Sequence, residues 1–163
     1  MRTGRTSRPA AVPAVSRIRP LTADDLSAVV RLDAELTGAR KPAYWKRVFQ
    51  SFLASGEDAG LVGLVAEGAE GFAGYLLGEV RAFEFGSESC GWIFAVGVAP
   101  WAAHGGVGSA LVAAACECFE AAGASTVRTM VKRDDLPMLS FFRANDFVGG
   151  SYVELERRVA AEH

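Results

Sequence analysis

A glycine-rich turn between an apolar strand and an apolar helix is the feature that most constrains how this chain can fold. The stretch from Val96 to Leu111 reads Val-Gly-Val-Ala-Pro-Trp-Ala-Ala-His-Gly-Gly-Val-Gly-Ser-Ala-Leu. Residues 91–98 before it are apolar enough for a buried strand, and residues 107–122 after it read as a helix that Gly123 closes. This arrangement points unpaired backbone N–H groups outward at the positive end of a helix dipole, where phosphate oxygens bind well.

Short segments of alternating type surround this unit. In chain order, the sequence predicts a strand over 16–19, a helix that Thr22 caps and Gly38 ends, a helix from Pro42, strands over 61–66, 72–85 and 91–98, a helix over 107–122, a strand over 126–132, a short helix over 138–144 and strand material around 147–155. The order β-α-α-β-β-β-α-β-α-β predicts a mixed α/β sheet. Its middle is an antiparallel meander, and its second half contains a βαβ crossover.

The charge is distributed unevenly along the chain. The 163 residues include 17 basic and 19 acidic side chains, for a net charge of −2. Residues 1–19 contain five arginines and no acid, which leaves 12 basic against 19 acidic residues, a net charge of −7, over 20–163. We expect a disordered basic leader over 1–15, one domain over 16–158 and a tail over 159–163. The acidic body argues against a nucleic-acid partner and favours cationic substrates.

Cysteine and histidine usage argues against a metal site. Cys90, Cys116 and Cys118 are odd in number and lack metal-ligand spacing, and only His104 and His163 could assist them. We therefore expect reduced thiols, no metal and a cytoplasmic location. No apolar run approaches the roughly 20 residues of a membrane-spanning helix, so we expect no membrane partner.

Two phosphate-binding motifs do not match the glycine-rich turn. A P-loop requires Gly-Lys-Ser/Thr, and the chain contains no Gly-Lys. A dinucleotide-binding fingerprint requires a third glycine where Leu111 stands, and an acid after the next strand, where the chain has Lys132 and Arg133.

The turn resembles that of the GNAT superfamily of acyl-CoA-dependent N-acyltransferases. The family pattern runs Val-x-Pro, two residues, Arg/Gln-x-x-Gly-x-Gly/Ala and a Leu three residues on. The matching residues are Val98, Pro100, Gly106, Gly108 and Leu111. Ala103 departs from the pattern, because it stands where the family has Arg or Gln.

A second family signature follows about 30 residues later. The family has Asn-x-x-Ala-x-x-Phe-Tyr-x-x-x-Gly-Phe, and this chain keeps the frame from Asp135 to Phe147. Asp135 replaces the Asn, Phe142 the Tyr and Asp146 the Gly. The resemblance covers roughly residues 16–157.

The resemblance implies that acetyl-CoA is the co-substrate, with its pyrophosphate on the amides of the turn and its pantetheine arm along the preceding strand. The residues it implies for this contact are Val96, Gly97, Val98, His104, Gly105, Gly106, Val107, Gly108 and Ser109, with Asp135 and Phe142 from the second signature. It also implies that the Val98 amide polarises the thioester carbonyl.

The resemblance further implies direct attack by a neutral amine, which requires a base and can use an acid. Glu79 and Glu84 are the candidate bases. Since they are an odd number apart on the strand predicted over 72–85, we expect them on opposite faces, with at most one in the cleft. His104 is a further candidate, although its position in the loop favours a cofactor contact.

The family often uses the tyrosine of its second signature as the acid, but Phe142 has no hydroxyl. Solvent, Ser140 or Tyr152 are the replacements we consider.

Tyr44 and Trp45 are the candidate acceptor contacts, because the family's acceptor cleft is bordered by the segment that links the first two helices. The expected activity is N-acetyl transfer to a primary amine of a small molecule or a peptide, by a protein that can form a homodimer. The alternative is a catalytically weak acyl-CoA-binding or regulatory domain, which the departures at Ala103 and Phe142 suggest.

Overall fold

The structure is a computed structural model that describes residues 15–56 and 59–160. The expected leader over 1–15 lies outside the described residues except for Val15, as do the last three residues of the expected tail. The described residues form two compact units, one up to Met130 and one from Val131.

Five strands form the sheet of the first unit. They are β1 (Arg17–Pro20), β2 (Leu61–Gly68), β3 (Gly71–Arg81), β4 (Cys90–Val98) and β5 (Val127–Thr129). Their spatial order is β1-β2-β3-β4-β5. The first three pairs are antiparallel and the β4–β5 pair is parallel, which confirms the predicted meander followed by a βαβ crossover.

Three helices belong to the same unit: α1 (Leu26–Thr37), α2 (Pro42–Ala54) and α3 (Val107–Ala121). Gly38 ends α1 as predicted, with a left-handed φ of 75° and its N–H donated to the Ala34 carbonyl. At the end of α3, Gly123 has a φ of 88°, and the next N–H, that of Ala124, reaches back to the Phe119 carbonyl. Together with the bond from the Gly123 N–H to the Glu120 carbonyl, this bond closes the helix in the manner that glycine at this position permits.

The sheet is covered by helices on both faces. On one face, Val65, Tyr75 and Leu77 pack with apolar residues of α1 and α2 such as Val29 and Phe49. The opposite face lies against α3, where a Cβ on Gly78 would approach the Phe119 ring to 2.7 Å. The Phe119 ring thus fills space over glycine-bearing strands that a side chain would otherwise occupy.

A charged network fixes β1 to β2 and to the start of α1. The Arg19 guanidinium donates two hydrogen bonds to Asp25, at 2.8 and 2.9 Å, and a third to Glu67 on β2, at 2.7 Å. Thr22 donates both its backbone N–H and its hydroxyl to the Asp25 carboxylate. Burial raises the pKa of Asp25, but the hydrogen bonds from Arg19 and Thr22 outweigh it and hold that pKa below its ordinary value. The Arg19 hydrogen bond likewise lowers the pKa of Glu67.

Two predicted strands end earlier in the structure. β3 stops at Arg81, because Phe83 adopts a left-handed φ of 59° that a strand cannot contain. Glu84 therefore lies in a 3₁₀ turn, Glu84–Gly86, and not on the strand predicted over 72–85. β5 is three residues long instead of spanning 126–132.

The prediction of a strand around 147–155 is wrong. The second unit contains one helix, α4 (Leu136–Ala144), and the residues after it are in no strand. Gly149 and Gly150 interrupt this segment, and residues 148–160 are exposed. A strand requires a hydrogen-bonded neighbour and a buried face, so alternating apolar residues alone do not make one.

Within the described residues, no helix is long and apolar enough to cross a membrane. Nor do they hold three or more His, Cys, Asp or Glu side chains grouped as a metal site.

We expect the hydrogen bonds between Arg19 and Asp25 to stabilise the fold. Asp25→Asn should lower the free energy of unfolding at pH 7 by about 2 kcal/mol, because the bonds lost are hydrogen bonds to a buried charge. The lowered pKa of Asp25 contributes stability above the unfolded pKa of about 3.9. That contribution is lost as the pH falls through the folded value, so the two proteins should converge in acid.

Urea unfolding of both proteins at several pH values measures this difference. Asp24→Asn is the matched control, because the exposed Asp24 lies in the same turn and should leave stability nearly unchanged. A constant difference between wild type and Asp25→Asn down to strongly acid pH would contradict the assignment.

Candidate functional site

β4 contains one extra residue at the point where its two neighbours separate. Leu77 on β3 lies opposite Ala95 and Gly78 lies opposite Ile93, so Phe94 has no partner and forms a bulge. On the other side, β5 pairs with β4 only as far as Ile93. The edge of β4 beyond the bulge is therefore open in the direction of β5.

The bulge decides which backbone groups face this opening. Before it, Gly91 and Ile93 face β5, since the Gly91 N–H donates to the Thr126 carbonyl and the Ile93 carbonyl accepts from the Thr129 hydroxyl. After it, the Ala99 N–H donates to Ala73 on the β3 side, at 2.8 Å.

Because successive residues of a strand direct their N–H and C=O groups to alternate sides, the residue before Ala99 faces away from β3. Val98 and Val96 thus present both backbone groups to the opening. The backbone of Gly97 faces β3. Of the three residues expected to contact the co-substrate on β4, the structure brings Val96 and Val98 to the open edge.

Gly97 is required for a different reason. A Cβ at this position would lie 2.6 Å from Cε1 of Tyr75 and 3.2 Å from Cδ1 of Leu36. The Tyr75 ring therefore rests directly on the backbone of β4, on the face that packs against α1 and α2.

The turn after β4 presents free N–H groups. His104 and Gly106 have left-handed φ values of 60° and 82°, a conformation that is uncommon for a residue other than glycine. The first hydrogen bond of α3 runs from the Ala110 N–H to the Gly106 carbonyl. The N–H groups of Val107, Gly108 and Ser109 thus have no acceptor within the helix, and no side chain caps this end.

The space in front of this turn is open, since nothing lies within 4 Å of a Cβ built on Gly106. The residues predicted to bind pyrophosphate, His104 to Ser109, thus form one strand–helix turn. Its donors are backbone groups and are independent of the Ala103 departure. They suit an anion such as a diphosphate, which accepts charge-assisted hydrogen bonds.

The candidate acceptor residues Tyr44 and Trp45 are in different environments. Tyr44 is 39% exposed and meets the Trp45 ring edge-on, with centroids 5.1 Å apart. Trp45 is only 2% exposed, and its indole N–H donates to Asp33 at 2.9 Å. The expectation that Trp45 contacts substrate is corrected by this burial, because its ring belongs to the core between α1, α2 and the sheet.

Sequence reasoning missed Asp33 and Tyr75. Asp33 is 6% exposed and also pairs with the Lys41 ammonium at 3.0 Å. Burial is the main cause that raises the pKa of the Tyr75 phenol, and the nearby Asp33 and Tyr44 raise it further. The phenol therefore keeps its proton at neutral pH. The signal for Asp33 was present in the sequence: an acid next to Leu32 and three to four residues after Val29 and Val30 lies on the apolar stripe of the helix.

Glu79 and Glu84 meet at one arginine. The Arg81 guanidinium donates to Glu79 at 3.1 Å and lies 4.0 Å from Glu84. It also stacks over the Trp92 ring, at 4.3 Å from the centroid. The expectation that the two glutamates lie on opposite faces is therefore wrong, because Glu84 has left the strand. Glu79 shares the face of Tyr75 by the two-residue period of β3.

A groove of about 330 Å³ lies on the α1 side of the first unit. Leu32 of α1, Phe72 of β3, and Ala99 and Trp101 after β4 are among its lining residues. The Phe72 ring stacks on that of Tyr75, with centroids 6.5 Å apart. This face of the sheet thus offers open space beside the Tyr75 cluster.

The remaining predicted residues belong to the second unit. Asp135 caps α4 by accepting the Met138 N–H at 3.1 Å. Phe142 is buried, in edge contact with Phe141 and Phe147. Ser140 is exposed on the same helix. The co-substrate roles of Asp135 and Phe142 and the acid role of Ser140 stay predictions.

Solved structures with the same fold are numerous, and three represent them. A transcriptional regulator from Bacillus halodurans C-125 is 20% identical, with a TM-score of 0.73 over 87% of this chain and 98% of its own. The aminoglycoside N-acetyltransferase AAC(6')-Iy, solved with CoA, is 16% identical, with a TM-score of 0.75 over 88% and 95%. The aminoglycoside acetyltransferase meta-AAC0020 from an uncultured soil metagenomic sample, solved with sisomicin, is 17% identical, with a TM-score of 0.67 over 88% and 96%.

At such identities these structures establish the fold. No curated protein matches the sequence significantly. The sequence model of the acetyltransferase (GNAT) family matches residues 26–147, three quarters of the chain and the whole of the β4–turn–α3 unit. This chain therefore belongs to the acetyltransferase (GNAT) family.

Proposed function

We propose that the protein is an N-acetyltransferase that transfers the acetyl group of acetyl-CoA to a primary amine of a small molecule or peptide. The observation that carries the proposal is the continuity of β4 with the turn. One strand presents an open edge at Val96 and Val98 and then, within a dozen residues, a set of free N–H groups at the start of α3. An elongated acyl donor with a diphosphate requires both features.

Different residues bind different parts of acetyl-CoA. When bound, acetyl-CoA supplies the acetyl group as a thioester. The N–H groups of Val107, Gly108 and Ser109 hold the diphosphate, and the backbone of Val96 and Val98 pairs with the amide-bearing pantetheine arm as a neighbouring strand would. The Val98 N–H donates to the thioester carbonyl oxygen, where negative charge develops as the amine attacks.

Proton transfer makes modest demands on the protein. A thiol with the ordinary pKa of about 8.5 leaves readily, so an acid such as Ser140, Tyr152 or water is sufficient where Phe142 lacks a hydroxyl. Of the two glutamates, Glu79 is the better placed base, because it lies on β3 itself, on the face that packs against α1 and α2, and a hydrogen bond donated by Arg81 fixes its carboxylate at 3.1 Å. Glu84 reaches the same guanidinium from the turn.

Two observations support an amine with several positive charges as the acceptor. The acidic body of the protein attracts cations. Two of the structures that share the fold are described as aminoglycoside acetyltransferases, and one of these was solved with sisomicin, an aminoglycoside. A small molecule with several amines is therefore the first acceptor to test.

The deciding experiment measures thiol release from acetyl-CoA with a panel of amines that includes sisomicin, putrescine and a lysine peptide. Amine-dependent release supports the transferase. Tight CoA binding without release for any amine supports the alternative, a catalytically weak acyl-CoA-binding domain, which the departures at Ala103 and Phe142 favour.

Placement of the diphosphate at the turn predicts the effect of a charge there. Gly106→Glu should abolish CoA binding in a calorimetric titration, because a carboxylate enters the open space before the free N–H groups and repels the diphosphate. Gly123→Glu is the control: it puts the same charge at the other end of α3, at a glycine with a similar φ of 88° and equally open space. Equal CoA affinity in the two variants would overturn the placement.

If the Val98 N–H stabilises the developing negative charge, its removal should lower kcat. Val98→Pro deletes the N–H at a position where the sheet does not use it, so the fold should persist. We expect kcat to fall about 100-fold, the usual cost of one oxyanion donor. Val98→Ala keeps the N–H and should retain most activity. A Val98→Pro variant with normal kcat and a native circular dichroism spectrum would remove Val98 from the mechanism.

A further inference from the structure

Asp33 is a carboxylate held within an aromatic cluster. Its side chain is 8% exposed, and it accepts the Trp45 indole N–H at 2.9 Å and the Lys41 ammonium at 3.0 Å. A buried carboxylate is costly unless hydrogen-bonded donors and an opposite charge compensate it. The Lys41 ammonium therefore supplies the compensating charge beside Asp33.

The two partners of Asp33 differ in how easily they can leave. Trp45 is packed in the core and cannot move without disturbing α1, α2 and the sheet. The Lys41 side chain is 40% exposed and comes from the short connection between α1 and α2. Its flexible stem and hydrated head can move into water at little cost. Lys41 is thus the partner whose departure would disturb the fold less.

The Tyr75 ring contacts both Trp45 and the backbone of β4. Tyr75 meets Trp45 edge-on, with centroids 5.6 Å apart, and rests on Gly97 of β4. The residue after Gly97 is Val98, whose N–H faces the opening. Tyr44, partly exposed, completes the aromatic set. Aromatic faces next to a carboxylate are a favourable environment for an ammonium group.

We propose that Asp33 anchors one ammonium group of a polyamine-type acceptor, which displaces the Lys41 ammonium, while a second amine of the same molecule reacts. This assignment rests on the proposed function and specifies its substrate class. The anchored group keeps its proton and is not acylated. The second amine attacks as the neutral base: its nitrogen forms the bond to the acetyl carbon, the carbon–sulfur bond breaks, and the proton it gives up leaves the thiol protonated or goes to solvent.

The test compares diamines with monoamines of equal length in the wild type and in two variants. For the wild type, we expect kcat/KM for putrescine and cadaverine to exceed that for butylamine and pentylamine about tenfold, the gain from one hydrogen bond to a charged group. Asp33→Asn should abolish this preference through KM, with kcat and CoA affinity unchanged. Lys41→Ala should lower the KM for diamines about threefold, because the internal competitor is gone.

The sign of the Lys41→Ala effect separates the anchor from a merely structural ion pair. A pair that only fastens α1 to the α1–α2 connection predicts unchanged or weaker diamine binding, whereas loss of the ion pair lowers the melting temperature without diamine in either case. Lys46→Ala removes an equal charge from the exposed face of α2 and should change neither quantity. If Asp33→Asn fails to fold, the Lys41→Ala and Lys46→Ala pair decides alone.

A binding measurement keeps this inference separate from the proposed activity. Putrescine should raise the melting temperature of the wild type more than butylamine does, and the excess should vanish in Asp33→Asn. If that pattern holds while no amine releases thiol, the anchor stands and the transferase proposal fails. Equal responses to diamine and monoamine in the wild type, in both melting and turnover, would overturn the anchor.

Discussion

The bulge at Phe94 is the constraint from which the geometry of the site follows. A regular β4 would direct the N–H and C=O groups of Ala95 and Gly97 toward β5, in phase with Gly91 and Ile93 before them. One additional residue reverses this phase, so Val96 and Val98 face the opening instead. The bulge directly follows the end of the β4–β5 pairing, since the last paired residue of β4 is Ile93. A small irregularity thus converts a central strand into an edge that can pair with a ligand.

Two buried carboxylates have contrasting surroundings. Asp25 is surrounded by donors that cannot be exchanged, because Arg19 is bound at the same time to Glu67 and Thr22 closes the first turn. Asp33 has one fixed donor, Trp45, and one movable cation, Lys41. Burial is similar in the two cases, so the difference lies in the exposure of the cation, since the Arg19 side chain is 23% exposed and that of Lys41 is 40% exposed.

Sequence patterns predicted the elements that depend on local chemistry. Glycine at the ends of α1 and α3, proline at the start of α2 and the apolar runs of β2 to β4 all lie where they were expected, because caps and hydrophobic periodicity are properties of neighbouring residues. The errors concern long-range pairing. Residues 147–155 alternate like a strand but form none, and the strand predicted through 85 ends at Arg81 because Phe83 turns the chain. Trp45 was expected to contact the acceptor and is buried, since the rotation of α2 is set by its packing on Tyr75 and Asp33.

The sequence by itself determined the strand–turn–helix unit, the glycines of the turn and hence the family, because these are set by which residues tolerate left-handed φ values and close approach of the backbone. Only the tertiary structure decided which backbone groups of β4 are free, that Glu79 and Glu84 share Arg81, and that the buried Asp33 accepts hydrogen bonds from Trp45 and Lys41. Those facts depend on the register of β3 and β4 and on how α1 and α2 pack against the sheet. Register and packing arise from contacts between residues far apart in the chain, which no local pattern records.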